Sequence, residues 1–296
     1  MSQQDTEILN LIMQAEVISK TNWLHAIHLL EQAGDKYPTS IEIYLSMGDV
    51  FNRQKRYQEA ITSYQKALTI SPTDEHLLFI IGGCYLSLGE YRMALVYFDQ
   101  VQDKSPELYY NQALAYAYLG KHDDCYKNLR LLYKLVPDNL NVCYFLSEEL
   151  MRLQRFDEAL EILDTAERNF GKHAHLMILK AFIWNFKKVW LRTYACFQEA
   201  DDLVPISNQE YLITFAQAAQ KIGLYNKTFT LYNRALEINP YNSVIYEEII
   251  RLSITLEDYQ QAQKYLAKAE QNLMHVNSTL ELLKGKLNRL SPKDPG

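Results

Sequence analysis

The feature that most constrains the fold of this chain is an internal repeat with a period of 34 residues. The segment that begins at Ile41 aligns with the segment that begins at Glu75 when it is shifted by one period. The aligned pairs are apolar, aromatic or small residues and a closing proline: Tyr44/Leu78, Met47/Ile81, Gly48/Gly82, Phe51/Tyr85, Tyr57/Tyr91, Ala60/Ala94, Tyr64/Phe98, Ala67/Val101 and Pro72/Pro106. Self-similarity of this length is typical of stacked repeats, so we expect a series of equivalent units.

This pattern resembles the tetratricopeptide repeat, in which aromatic, large apolar, glycine, alanine and proline positions recur with the same spacing. Extending the register in both directions predicts eight copies: 7–40, 41–74, 75–105, 106–139, 140–173, 174–207, 209–242 and 243–276. The resemblance implies an all-α fold, a right-handed α-solenoid superhelix of eight helix pairs. A small residue at the twentieth position of each copy, such as Ala60 or Ala159, lets the two helices of a pair approach closely.

A further helix is predicted after the eighth copy, within residues 277–290. Asn277 and Ser278 can cap the start of a helix over 279–290. Its leucines form one stripe, at positions Leu280, Leu283, Leu287 and Leu290. We expect this helix to cap the open end of the stack, with a dimerisation surface as the alternative. Residues 1–6 and 291–296 are predicted to be tails.

Composition and charge exclude several classes of protein. The chain has 30 lysine and arginine residues against 36 aspartate and glutamate residues, a net charge of −6, which disfavours nucleic-acid binding. No apolar stretch is long enough to span a bilayer, so no membrane association is expected. The N-terminus resembles no secretory signal, and the four cysteines are widely spaced. These features predict a cytoplasmic protein with reduced thiols.

Catalytic and metal-binding motifs are absent from the sequence or weak. There is no phosphate-binding loop, dinucleotide fingerprint, HExxH or GxSxG motif. The remaining candidates are His25 with His28, His173 with His175, Asp123 with Asp124, Glu148 with Glu149, and Cys125, Cys143 and Cys196. We interpret the histidines and the adjacent carboxylates as solvated helix faces and the cysteines as small apolar residues. We therefore expect no enzyme activity, no catalytic residue, no metal and no cofactor.

The resemblance implies that the first helix of each copy lines a concave groove through positions 2, 5, 9, 12 and 13. In the first copy this register includes Leu11 and Ala15. In the later copies the expected groove has an apolar floor and an acidic rim, formed by Leu45, Asp49, Phe79, Leu86, Glu107, Tyr110, Leu114, Tyr118, Tyr144, Glu148, Met151, Ile178, Phe182 and Phe186. Such an apolar patch marks an interaction site when it is exposed. The alternative is that a tight superhelix partly buries these residues.

These observations predict a non-enzymatic scaffold that binds a peptide segment or partner helix in the groove. The acidic rim favours a protein or peptide partner that carries apolar and basic residues. The groove lacks the cations with which chaperone-binding repeats hold a terminal carboxylate, because those positions carry Leu45, Asp49 and Glu107 among others. One alternative is a regulatory or sensor protein that closes around a signalling peptide or small ligand; another is the repeat arm of an enzyme. We expect a monomer, with a homodimer through the C-terminal helix as the alternative.

Overall fold

The computed structural model describes residues 3–273 and 277–290. Within these ranges the chain forms seventeen α-helices and no β-strand, so the predicted all-α fold class is confirmed. The helices are α1 Gln3–Ser19, α2 Trp23–Lys36, α3 Ile41–Arg53, α4 Tyr57–Ile70, α5 Glu75–Ser87, α6 Tyr91–Phe98, α7 Pro106–Tyr118, α8 His122–Leu135, α9 Leu140–Arg152, α10 Phe156–Phe170, α11 Ala174–Phe186, α12 Trp190–Leu203, α13 Gln209–Lys221, α14 Tyr225–Ile238, α15 Ser243–Thr255, α16 Tyr259–Asn272 and α17 Ser278–Leu290.

The helix starts follow the period of the sequence. The odd-numbered helices from α3 to α15 begin at Ile41, Glu75, Pro106, Leu140, Ala174, Gln209 and Ser243. The N-terminus differs from the prediction, because α1 already begins at Gln3 and residues 3–6 are helical rather than part of a tail. The end of the eighth copy, 274–276, and the predicted tail 291–296 lie outside the described residues, as do residues 1–2.

The chain divides into two compact units, Met1–Ile162 and Leu163–Gly296. Within the first unit each helix from α1 to α8 packs against the next helix in the chain, and α1 also contacts α3 while α5 contacts α7. Within the second unit the same sequential packing runs from α11 to α15, α15 packs on α16, and α17 contacts both. Packing between neighbours in sequence is the arrangement of an α-solenoid.

Small residues allow the two helices of each pair to pack closely. The residue at the twentieth position of every copy is completely buried: Ala26, Ala60, Ala94, Cys125, Ala159, Thr193, Thr228 and Ala262. A second close approach involves the eighth position, where Gly48 lies against the ring of Tyr64 and Gly82 lies against the ring of Phe98. Both rings are fully buried, so the glycines make room for the largest side chains of these pairs.

The turn between the two helices of a pair has the same geometry in seven copies. One residue of each turn adopts a positive φ, between 57° and 81°; these residues are Lys55, Gly89, Gly120, Gln154, Lys188, Gly223 and Glu257. The next residue closes the helix, as where the Arg56 N–H donates to the Phe51 carbonyl at 2.9 Å. This is a Schellman motif. The first copy lacks it: the Asn22 N–H donates to the Ile18 carbonyl at 2.8 Å, and residues 20–22 have no positive φ.

The last helix, α17, packs on the final helix pair through its leucines. Leu280, Leu283 and Leu287 are buried, and α17 contacts α15 and α16. Leu290, predicted on the same stripe, is the last residue of α17 and is 43% exposed. Three of the four predicted leucines therefore form the contact.

Candidate functional site

A groove of about 480 Å³ lies between α1 and α3, the first helices of the first two copies. Its lining residues are Asp5, Ile8, Leu9, Ile12, Glu16, Glu42, Leu45, Ser46, Asp49 and Arg53. Two of the predicted groove residues, Leu45 and Asp49, are among them. We call this surface the N-terminal groove.

The residues that α1 contributes to the N-terminal groove differ from those expected. The repeat register places Ala15 in the groove, but Ala15 is completely buried, whereas Gln14 at the preceding position is exposed. In the second copy the buried small residue is Gly48, at the eighth position of the repeat, whereas Ala15 stands at the ninth position of the first copy. A shift of one residue turns a helix face by about 100°, so Ile12 and Glu16 face the groove instead. The different α1–α2 turn accompanies this rotation.

Hydrogen bonds hold the charged groups of the N-terminal groove in place. The Tyr64 hydroxyl donates to Asp49 Oδ1 at 2.7 Å. The Ser40 hydroxyl donates to Glu42 Oε2 at 2.7 Å, and the Arg53 guanidinium donates to the Ser19 hydroxyl at 3.3 Å. On the α3 side the rim therefore presents two positioned carboxylates, and one cation stands at its end.

Two smaller pockets adjoin each other around Phe79, and we call them together the central pockets. The first, of about 280 Å³, is lined by Glu75, His76, Phe79, Val101, Asp103, Ser105 and Glu107. The second, of about 390 Å³, is lined by Phe79, Pro106, Glu107, Tyr110, Asn111, Leu132, Val136, Asn139 and Val142. Phe79 and Glu107 border both. The ring of Tyr110 lies edge-on to Phe145 at 6.1 Å and is 41% exposed.

A shortened helix opens the central pockets. Helix α6 has 8 residues, whereas α4 and α8 each have 14. The chain then runs without helix over residues 99–105, which matches a third copy that is shorter than the others. The carboxylate of Glu75 holds this segment: its Oε2 accepts from the N–H groups of Gln102 at 2.9 Å and Asp103 at 2.8 Å.

The remaining predicted residues of the first unit lie outside these grooves. Tyr118 stacks on Tyr91, with ring centroids 4.6 Å apart and planes within 4°. The other five are half-buried along the first helices; they are Leu86, Leu114, Tyr144, Glu148 and Met151. None of them lines the N-terminal groove or the pockets around Phe79.

The second unit carries the last three predicted groove residues, all on α11. Ile178 and Phe182 are half-buried, and Phe186 is exposed. The ring of Phe182 makes edge contacts with Phe197 at 5.5 Å and Tyr211 at 5.2 Å, so part of it belongs to the core of this unit.

One of the predicted solvated carboxylates is instead buried. Glu149 is only 2% exposed, and its two oxygens lie 2.8 Å from His122 Nδ1 and 3.1 Å from Arg152 Nε. At its position in the repeat the side chain of Glu149 faces the interior, whereas the side chain of its neighbour Glu148 is half-buried. Burial, with the carboxylate of Glu149 nearby, raises the pKa of the Cys125 thiol far above its ordinary range. Glu149 and its partners are therefore a structural cluster.

Lys180, a buried cation on α11, is not among the residues predicted from the sequence. Its Nζ lies 2.5 Å from Asp164 and also pairs with Glu167. Burial lowers the pKa of Lys180, but the two carboxylates outweigh it and the pKa is raised. Lys180 stands where other copies place Met47, Ile81 and Leu146 in the core. A lysine at a repeat position that is apolar in other copies was the sequence signal that could have revealed this buried cation.

Over residues 3–273 and 277–290, no cluster of three or more His, Cys, Asp or Glu side chains is arranged to hold a metal ion. In the same ranges no helix combines the length and the apolar character that crossing a bilayer requires.

Comparison with known proteins identifies the repeat. Residues 39–103 match the model of the tetratricopeptide repeat family. A segment of 137 residues, 45% of this chain, is 26% identical to anaphase-promoting complex subunit 3 of Schizosaccharomyces pombe. This chain covers only 21% of the length of that curated relative.

Solved structures share the fold at low sequence identity. The structure of Pseudomonas aeruginosa pilF superposes with a TM-score of 0.54 at 17% identity, covering 74% of this chain and 100% of that chain. YrrB, described as a TPR protein with an unusual peptide-binding site, superposes with a TM-score of 0.52 at 14% identity, covering 62% of this chain and 95% of YrrB. Residues 39–103 are therefore a tetratricopeptide repeat segment, and the helix pairs of the chain share the fold of YrrB and pilF.

Proposed function

We propose that this chain is a non-enzymatic scaffold that binds a peptide segment of a protein partner on the face formed by its first helices. The observation that carries the proposal is the pair of central pockets, which share Phe79 and Glu107 and expose the ring of Tyr110. Pockets that receive side chains beside an exposed aromatic residue are typical of binding hot spots.

The chemistry of the central pockets favours a particular kind of segment. Phe79 and Tyr110 offer apolar surface, and the exposed residue Glu107 lines the same pocket with its carboxylate group. A segment that inserts an apolar side chain and places a lysine or arginine near Glu107 would satisfy both features. YrrB, with a similar fold, is described as having a peptide-binding site, which adds support from outside this chain. Predicted residues of the first unit beyond these pockets, including Tyr144, would extend the contact along the first helices of that unit.

The test begins with a random peptide library displayed on phage and selected on the full chain. The affinity of the selected peptides is then measured by fluorescence anisotropy for the wild type and for Tyr110→Ala. We expect a loss of about 1–3 kcal/mol of binding free energy for Tyr110→Ala if this ring is a hot spot. Tyr241→Ala is the matched control, because Tyr241 is an exposed tyrosine on the α14–α15 turn.

Selected peptides that bind the wild type and the Tyr110→Ala variant equally would place binding outside the central pockets. A circular-dichroism melt of each variant checks that folding is unchanged, since exposed substitutions usually alter stability by less than about 0.5 kcal/mol.

A further inference from the structure

We propose that the N-terminal groove is a second, separate binding site, which accepts a segment presenting lysine or arginine beside apolar side chains and rejects acidic segments. The proposal does not depend on the central pockets, which share no lining residue with this groove. Three observations carry it: the apolar floor, the excess of carboxylates and the way these carboxylates are held.

The floor of the N-terminal groove is apolar on both sides. Ile8, Leu9 and Ile12 come from α1, and Leu45 comes from α3. Leu9 is exposed and Leu45 is half-buried, so apolar surface remains accessible. The groove volume of about 480 Å³ lies within the range of about 300–1,000 Å³ that ligand sites usually have.

The charges around this floor are unbalanced. Four carboxylates line the groove against one guanidinium; they are Asp5, Glu16, Glu42 and Asp49 against Arg53. Among the described residues, no lysine, arginine or histidine forms an ion pair with Glu16, Glu42 or Asp49. A cationic ligand would relieve the repulsion within this group, whereas an anionic ligand would increase it.

Two of these carboxylates are already positioned. Asp49 accepts from the buried Tyr64, and Glu42 accepts from the buried Ser40, so neither side chain must be ordered when a ligand binds. Positioning before binding lowers the entropic cost of the contact. These hydrogen bonds leave other lone pairs of both carboxylates available for a ligand N–H.

The groove also has a direction. Along α3 it extends from Glu42 to Arg53, which corresponds to about 16 Å at the helical rise, or about five residues of extended chain. Arg53 stands at the end near Ser19 and opposes cations there. The basic side chains of the ligand therefore belong near Glu42 and Asp49, and removal of the Arg53 charge should strengthen the binding of a purely basic segment.

The probe is a fluorescein-labelled peptide of alternating leucine and lysine, with a matched peptide in which glutamate replaces lysine. Binding to the full chain is measured by anisotropy at low and at raised salt. We expect the lysine peptide to bind, with weaker affinity at raised salt, and the glutamate peptide not to bind. The double variant Glu42→Gln/Asp49→Asn should weaken binding by about threefold to tenfold. Both replacements retain an oxygen that accepts from Ser40 and Tyr64, so the fold is preserved.

Two further variants test whether binding depends on the charges of the N-terminal groove rather than on the net charge of the protein. Arg53→Gln should tighten binding of the lysine peptide by about twofold, the opposite direction to the carboxylate variants. Glu31→Gln removes the same charge from the exposed surface of α2, outside the groove, and should leave affinity unchanged. An equal loss for Glu31→Gln would show unspecific attraction and overturn the proposal.

The outcome also separates this site from the central pockets. If Tyr110→Ala abolishes binding of the lysine peptide while Glu42→Gln/Asp49→Asn does not change it, the peptide occupies the central pockets and the N-terminal groove is not a site. If the library-selected peptides lose affinity on Tyr110→Ala but the lysine peptide does not bind at all, the proposed function stands and this inference fails.

Discussion

Gly48 and Tyr64 are in such close contact that the glycine cannot carry a side chain: a Cβ on residue 48 would lie 2.2 Å from Cε1 of the tyrosine ring. The hydroxyl of the same ring donates to Asp49 at 2.7 Å. One buried tyrosine therefore joins the packing inside a helix pair to the acidic rim of the N-terminal groove. The repeat that builds the core of this pair also positions a carboxylate of the candidate site.

The equivalent contact in the next copy gives a prediction with an adjacent control. A Cβ on Gly82 would lie 2.5 Å from the buried ring of Phe98, so Gly82→Ala should lower the free energy of unfolding by about 1–3 kcal/mol. A Cβ on Gly83 would meet nothing within 4 Å, so Gly83→Ala should stabilise the helix by up to about 1 kcal/mol. Urea unfolding of both variants measures the difference. Equal midpoints would show that α5 and α6 do not approach closely.

The turns inside the helix pairs give a second prediction. Lys55 holds a φ of 57°, which costs an L-residue about 1 kcal/mol and costs glycine almost nothing. Lys55→Gly should therefore stabilise the protein by about that amount in urea unfolding. Gln54→Gly is the control, because Gln54 has a φ of −84° and gains nothing from glycine. A loss of stability for Lys55→Gly would show that the turn does not adopt the Schellman geometry.

Much of the fold follows from the sequence because the repeat reports which residues face inward. This periodicity gives the starts of the odd-numbered helices from α3 to α15. It also gives the small residues at which the two helices of a pair cross. The positive φ of Lys55 and Gln154 is not visible in the pattern, because those turns use residues that do not favour it.

The candidate site could be predicted less completely. Leu45 lines the N-terminal groove, but the register does not hold on α1, where Ala15 is the buried small residue. The bounds 75–105 make the third copy shorter than the others, but they do not show that the missing turn falls in α6 or that the segment after it borders a pocket. Glu149 and Lys180 are buried with polar partners on a neighbouring helix: His122 of α8 contacts Glu149, and Asp164 of α10 contacts Lys180. The residue pattern of one helix carries no information about a partner on the next helix.

Alkaline pH should destabilise the fold. Burial raises the pKa of the thiols of Cys84 and Cys196 from 9.0 to about 11, and burial raises the pKa of the hydroxyls of Tyr64 and Tyr232. The unfolded chain therefore releases these protons at a lower pH than the folded chain. The contribution of these thiols and hydroxyls to stability should be constant below about pH 8 and fall as the pH rises toward about 11. Urea unfolding at about pH 7 and about pH 10 measures the loss.

The variant Cys196→Ala serves as a control for the alkaline prediction. Cys196 is half-buried, and its removal should reduce the loss of stability between the two pH values without affecting the other groups. An unfolding free energy that does not change between these pH values would contradict the burial of the thiols and hydroxyls.

The contact of α17 with the final pair gives a prediction about the end of the chain. Leu287 is 1% exposed and Leu282 is 75% exposed on the same helix. Leu287→Asp should release α17 and increase hydrogen exchange in α15 and α16, whereas Leu282→Asp should leave exchange unchanged. If α17 were instead a dimerisation surface through its outer side, Leu282→Asp would lower the molecular mass measured by light scattering.

The last prediction concerns the segment that borders the central pockets. Glu75 accepts two backbone hydrogen bonds, from Gln102 and Asp103, and bonds of this kind to a carboxylate are stronger than those between neutral groups. Glu75→Ala should therefore loosen residues 99–105 and speed hydrogen exchange at both amides. Because Asp103 and Ser105 line the pocket beside Phe79, the affinity of the library-selected peptides should fall.

Glu75→Gln separates positioning from charge in this experiment. The amide oxygen of glutamine still accepts from the Gln102 and Asp103 amides, so residues 99–105 should keep most of their protection and peptide affinity should fall less than in Glu75→Ala. The thermal midpoint should remain close to that of the wild type in both variants, since Glu75 stands at the half-buried start of α5 and the loss is local. If Glu75→Ala exchanged faster at both amides and yet bound the selected peptides with unchanged affinity, the segment would be a passive connection, and recognition would rest on the other pocket residues, Phe79, Glu107 and Tyr110.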